Sequence, residues 1–392
     1  LILNRLRRSD PEIMKRVAFI SHASVLNGAP ITVAELVEEF LTGPEPEKFY
    51  LGLPIPGPLL DRYSIKPGHL FFYDRAFLGR EAPVTRPRIR NRLRRIFREK
   101  EIDLVVANSL ESFRAVQAAS ELKIPVIWMI HELLTAYQKR RELNEMKDVA
   151  RAADRLIFNS RAALSGLPVL GKGLEKKSRV IYLGIHLASP VEDKSDHRKE
   201  LGFPPGSVLL GSVGDICPQK GYESLIRAFG LLSRQYPEAR LLIIGRTPPR
   251  FIKFRNRMNE LSRELGIAEK IIFTGEKIDP RNFINSLDLL IHPSWRESFG
   301  RVIVEALARE IPVVATRSGG AEEIIVDGET GILIPQREPE AIAGAVSRLI
   351  ESPEEAREMA RRGRAMVEEK FTISRSAAEL KEEIARFNSG NH

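Results

Sequence analysis

The chain has 392 residues, 43% of them hydrophobic, and a formal net charge of +9. That length predicts two domains with ordinary cores. Its single cysteine, Cys217, excludes internal disulfides and zinc–thiolate clusters and fits a reducing compartment, and no apolar run approaches the roughly 18 residues of a membrane-spanning helix.

Apolar runs alternate with helical patterns along the whole chain. In the first half the strand-like runs are Val17–Ser21, Leu70–Tyr73, Leu104–Ala107, Val126–Ile130 and Leu156–Phe158. Their continuous apolar character suits parallel strands buried on both faces, with helices completing βαβ units. Pro54–Pro58 reads as a loop. Arg86–Lys100 carries seven arginines, while Ile89, Leu93, Ile96 and Phe97 recur at helical spacing. This segment is either a surface helix packed by its apolar stripe or a docking face for anionic lipid. Nucleic acid is not expected as a partner, because no recognised binding motif or aromatic platform accompanies the charge.

Residues 184–206 are polar and rich in Pro and Gly, and read as a linker. After it the pattern repeats, with runs at Val208–Val213, Leu241–Ile244, Ile271–Thr274, Leu289–His292 and Val313–Ala315. Between them Ser224–Gln235 places Leu225, Phe229 and Leu232 on one helical face. The expected domains are 1–185 and 186–374, followed by a helix within 375–392 that returns to the first domain. The first domain holds 31 Lys and Arg against 21 Asp and Glu, and the remainder 30 against 31. The basic half is therefore expected to meet an anionic partner.

The stretch Glu297-Ser-Phe-Gly-Arg-Val-Ile-Val-Glu305 follows the run Leu289–His292 and reads as a turn opening a helix. Eight helical residues span about 12 Å, too far for both carboxylates to act on one bond. They can instead grip two parts of one long ligand across a helix N-terminus, whose free N–H groups suit a phosphate. Gly211-Ser-Val-Gly214-Asp215, with Lys220-Gly221 beyond it, and Gly319-Gly320 are further glycine-rich mouths after strands. Each alone is equally a tight strand-to-helix turn. Neither a P-loop nor a Gly-x-Gly-x-x-Gly fingerprint occurs.

Ser294, Glu297-Ser-Phe-Gly-x4-Glu305-Ala, Pro312-Val-Val-Ala-Thr, Gly319-Gly320-x-x-Glu323 and Asp327-Gly328-x-x-Gly331 together resemble the retaining family 4 glycosyltransferases. The resemblance implies the α/β GT-B fold, two doubly wound Rossmann-like domains facing across a cleft. It implies transfer of a hexose from a UDP- or GDP-sugar to a hydroxyl of a glycan or lipid-linked acceptor, at the cytoplasmic membrane face. The donor is a co-substrate, so no cofactor is expected. The absence of any Asp-x-Asp agrees with metal-independent chemistry.

The same resemblance implies roles. Glu297 would bind hydroxyls of the transferred sugar and Glu305 those of the ribose. Lys220 would offset charge on the leaving diphosphate. Ser298, Phe299 and Gly300 would line the donor, with Lys277 and Asp279 near the base. In the first half, the loop after Val17–Ser21 carries Gly28-Ala29 and would lie beneath the diphosphate. His131 would stand beside the donor sugar. Asp215 departs from the family, which commonly has Arg there on the diphosphate; Arg246, Arg296 or Arg301 could compensate. A same-fold epimerase or glycan synthase, or a non-catalytic sugar-nucleotide-binding protein, are the alternatives.

Overall fold

The computed structural model describes residues 16–63, 65–74, 87–134, 140–187, 198–199, 202–203, 206–277 and 280–387. Among these, the residues up to Gly184 together with those from Ile373 onward form one unit, and Ile185–Thr372 form a second.

The first unit is built on seven strands: β1 (Val17–Ser21), β2 (Phe49–Leu53), β3 (Leu70–Phe72), β4 (Leu104–Asn108), β5 (Val126–Ile130), β6 (Arg155–Phe158) and β7 (Ser178–Val180). They lie in the order β3-β2-β1-β4-β5-β6-β7, and every neighbouring pair is parallel. The second unit holds β8 (Leu209–Val213), β9 (Arg240–Ile244), β10 (Ile271–Gly275), β11 (Leu289–His292), β12 (Val313–Thr316) and β13 (Ile332–Ile334). Their order is β10-β9-β8-β11-β12-β13, again all parallel. Each sheet reverses its winding direction once, between β1 and β4 and between β8 and β11. Those switch points open a crevice at the carboxyl ends of the strands, where ligands of such sheets bind.

Three strands escape the apolar pattern of the sequence: β2, β7 and β13. In β2 the run is interrupted by Gly52, where a Cβ would sit 2.5 Å from the Phe71 ring. Glycine is there to let β3 pack close. Strand β7 is a half-exposed edge with one apolar residue, and β13 has only three residues.

The arginine-rich segment forms a helix, Pro87–Glu99, whose Ile89, Leu93 and Phe97 are buried in the first unit's core. It packs on the helix Phe113–Glu121, and Arg90 and Arg94 both reach Glu121, at 3.2 and 3.0 Å. Arg95 pairs with Glu99 at 2.6 Å. The apolar stripe is thus used internally, which is the packed-helix alternative. Arg86 lies outside the described residues.

The helix Ile373–Arg386 packs against Gly28–Leu41 in the first unit. Its buried Glu383 receives Arg179 at 2.8 Å and lies 3.3 Å from Arg155 and 3.6 Å from Arg386. In the second unit Leu225, Phe229 and Leu232 of the helix Tyr222–Gln235 are buried against the sheet.

Candidate functional site

The loops after β8 and β11, the two strands at the second switch point, touch through their backbones. Gly221 has φ +69°, and a Cβ on it would lie 2.0 Å from the Pro293 carbonyl oxygen. No other residue fits this contact. Trp295 N–H donates to Gln219 O at 2.8 Å, closing the same seam. The loops after β8 and β9 are equally tight, since a Cβ on Gly245 would fall 2.0 Å from Gly214 O.

This seam brings Lys220 to Glu297. Lys220 Nζ lies 2.7 Å from Glu297 Oε2, and His292 Nε2, from the end of β11, lies 3.1 Å from the same oxygen. Both donors use Oε2, and no group among the described residues bonds Oε1. Burial pushes the Glu297 carboxyl up, but Lys220 and His292 outweigh it and hold it well below the carboxylate range. Burial disfavours the Lys220 ammonium too, yet Glu297 keeps it above the ordinary lysine value. His292 is lowered, first by burial and despite Glu297, so it donates to Glu297 as a neutral imidazole. The site is a negative charge held beside a positive one, with the second carboxylate oxygen left unbonded among the described residues. Nearby, the buried Ser294 Oγ and Trp295 Nε1 atoms have no hydrogen-bond partner among the described residues. Such polar atoms suit a ligand that supplies the missing bonds.

Asp215 does not stand as an isolated negative charge. Arg246, following β9, grips it with two bonds, Nε to Oδ1 at 3.0 Å and Nη2 to Oδ2 at 3.2 Å. Of the three arginines named as compensating, Arg246 takes the part, while Arg301 is held by Glu305 at 2.9 Å. Glu305 itself is buried.

The turn that opens the helix lies where the sequence places it, but the eight residues between the two glutamates are only partly helical. The helix spans Arg301–Leu307, so Glu297, Ser298, Phe299 and Gly300 belong to the turn before it. The 12 Å axial separation of the two glutamates therefore does not apply. The turn is held by Gly320 N–H, which donates to Glu297 O at 3.0 Å. Phe299 points inward, its ring 5.7 Å from that of Phe371, so only its backbone can serve a ligand. Lys277 lies over the Phe283 ring at 5.0 Å. Asp279 lies outside the described residues.

In the first unit the residues after β1, β4 and β5 converge. His131 follows β5 and is buried; its Nε2 lies 2.6 Å from Asn108 Oδ1 at the end of β4. Asn108 Nδ2 donates to Ala29 O at 2.9 Å, in the first turn of the helix Gly28–Leu41. Gly28 sits beside this tether, its carbonyl accepting from Thr32 Oγ1 at 2.9 Å. Burial and the neighbouring His22 bring the His131 pKa down to about 3.

Asn108 and His292 were not singled out in the sequence. Each ends an apolar strand with a polar residue, which is a signal only once the strand's neighbours are known.

Two family models match the chain. Residues 193–366 match "Glycosyl transferases group 1", and residues 54–189 match "Glycosyltransferase Family 4". The chain belongs to the family 4 glycosyltransferases. Among the relatives of this family, "D-inositol 3-phosphate glycosyltransferase 2" of Catenulispora acidiphila is 32% identical, over 52% of this chain and 50% of that protein. "Lipopolysaccharide core biosynthesis mannosyltransferase LpcC" of Rhizobium leguminosarum is 31% identical, over 56% of this chain and 61% of the other. The chain spans about half the length of the first two curated relatives it matches. The solved structure of Anabaena Alr3699/HepE with UDP and glucose superposes with a TM-score of 0.83 at 22% identity, covering 95% of this chain and 99% of that one. WaaG, a glycosyltransferase involved in lipopolysaccharide biosynthesis, gives 0.71 at 17%, covering 95% and 100%. Both carry the GT-B fold of two Rossmann-like domains, and this chain shares it.

Proposed function

We propose that this chain is a retaining hexosyltransferase that moves a sugar from a UDP- or GDP-sugar to a hydroxyl of a glycan or glycolipid. The observation that carries the proposal is the convergence of Lys220 and His292 on one oxygen of Glu297 at the β8/β11 switch point. The names of relatives that act in inositol phosphate glycosylation and lipopolysaccharide core synthesis support this class of acceptor, and the UDP and glucose in HepE support this class of donor.

Glu297 Oε1 would accept from hydroxyls of the transferred sugar and orient its anomeric carbon. Lys220, already charged, would shift from Glu297 toward the diphosphate as the bond to the anomeric carbon breaks, where electrostatic stabilisation has most effect. The N–H groups of Ser298, Phe299 and Gly300 would border the diphosphate, and Glu305 the ribose. The acceptor hydroxyl would attack from the face of the departing phosphate, which takes its proton, giving retention. This scheme uses no divalent metal, its positive charge coming from Lys220.

The ion pair of Arg246 with Asp215 offsets that carboxylate's charge, which supports the catalytic reading over a non-catalytic one. If the chain meets an anionic membrane through the helix Pro87–Glu99, charge alone would hold it there.

The test is incubation with a panel of UDP- and GDP-sugars and glycan or glycolipid acceptors, following release of nucleoside diphosphate and the anomeric configuration of the product. Acceptor-dependent release with retention supports the proposal. Nucleotide binding without turnover on every acceptor would instead favour a binding protein.

A further inference from the structure

Asn108 is fully buried at the β1/β4 switch point and bridges two segments of the first unit. Its side-chain N–H donates to the Ala29 carbonyl, and its Oδ1 faces His131 Nε2. A backbone carbonyl accepts and never donates, so the amide nitrogen must be the atom facing Ala29. The amide oxygen must then face the imidazole, and His131 Nε2 must carry the proton. The other ring nitrogen, Nδ1, keeps its lone pair. It is buried and has no partner among the described residues.

We propose that Asn108 is a positioning residue that fixes His131 as the Nε2–H tautomer, making Nδ1 an acceptor for a hydroxyl of the sugar ligand. The hydroxyl half of this rests on the sugar-transfer reading above; the tautomer does not. Protonating the ring would turn Nδ1 into a donor and abolish the acceptor, and the depressed pKa of about 3 guards against that. His22 is the titratable group that acts on the ring, while Glu132 takes the His131 backbone N–H at 3.0 Å. The Ala29 bond also ties the glycine loop to the imidazole, so the two are held in one register.

The tautomer can be read in ligand-free protein by 15N NMR of labelled histidine. Wild type is expected to show His131 Nε2 as the protonated nitrogen and Nδ1 as the bare one. Asn108→Leu should give mixed tautomers and lower kcat/KM about 10-fold, the scale of one hydrogen bond. Asn108→Asp keeps an acceptor at Nε2 but favours the charged ring. Its carboxylate also loses the bond to Ala29 O, so kcat/KM should be lowered at high pH and fall at least about 10-fold further on acidification, mostly through the donor KM, with no matching loss in wild type. Thermal melting of both variants checks that the fold is kept. An Nδ1–H tautomer in wild type, or a tautomer and kcat/KM unchanged in Asn108→Leu, overturns the proposal. The expected tautomer without transfer from any donor would overturn the sugar-accepting role and the transfer reading together, and leave Asn108's control of the ring standing.

Discussion

Lys220 and Glu297, 77 positions apart in the chain, meet at 2.7 Å across a seam that Gly221 alone permits. The pair is part-buried, and each charge keeps the other ionised against the cost of desolvation.

Lys220→Ala and Glu297→Ala should each lower turnover roughly 100-fold or more, as expected for losing one charge-stabilising contact. The double variant should lose far less than the product of the two, since they act as a unit. Steady-state kinetics on the three variants decides it. Activity within a few-fold of wild type in both single variants would refute the site.

His292→Ala removes the second donor to Glu297 Oε2. We expect kcat/KM to fall about 10-fold, with partial recovery in His292→Gln. His292 helps hold the Glu297 carboxyl low, so its loss should move the acid limb of the rate–pH profile to higher pH. An unmoved limb would mean that His292 is only a packing residue.

Acid should destabilise the ligand-free protein before its carboxylates titrate. His131 and His292 are both lowered in the fold, so below the ordinary histidine pKa of about 6.5 the unfolded chain binds protons that the folded chain refuses. For His131 the loss runs from about 6.5 down to about 3. Glu297, depressed, adds stability that is present above the ordinary carboxylate pKa of about 4.3 and is lost as pH falls below it. Melting temperature against pH should therefore decline below neutrality, and His131→Gln should flatten the upper part of the decline. Identical profiles for wild type and variant would contradict the His131 environment.

Glu383→Ala should cost about 1 kcal/mol of the first unit's stability, because it removes a buried carboxylate from part-exposed arginines, of which Arg179 keeps Glu379 and Glu382. Chemical denaturation with hydrogen exchange along Ile373–Arg386 provides the measurement. Exchange in that helix no faster than in wild type would contradict its anchoring role.

Much of this architecture was legible because its strands are buried on both faces. Leu104–Ala107 and Val126–Ile130 announce themselves as unbroken apolar runs, and both lie in fully buried strands. β2 was hidden because Gly52 answers to Phe71, a residue on another strand. The same limit applies at the site. Glu297 and Lys220 stand out through local motif, whereas the partnerships of Arg246 with Asp215 and of Asn108 with His131 exist only between strand ends, and that of His292 with Glu297, five residues on, depends on how the intervening turn folds back. Periodicity along one strand carries no information about which neighbour its last residue will meet.

The second unit enters at Ile185 and leaves at Thr372, and these two residues form a parallel bridge, with Ile185 N–H donating to Phe371 O at 2.9 Å. Its first and last segments are therefore adjacent, so the whole of 185–372 behaves as a cassette within a host fold. Exchange for the equivalent stretch of a relative at these two points needs no added spacer.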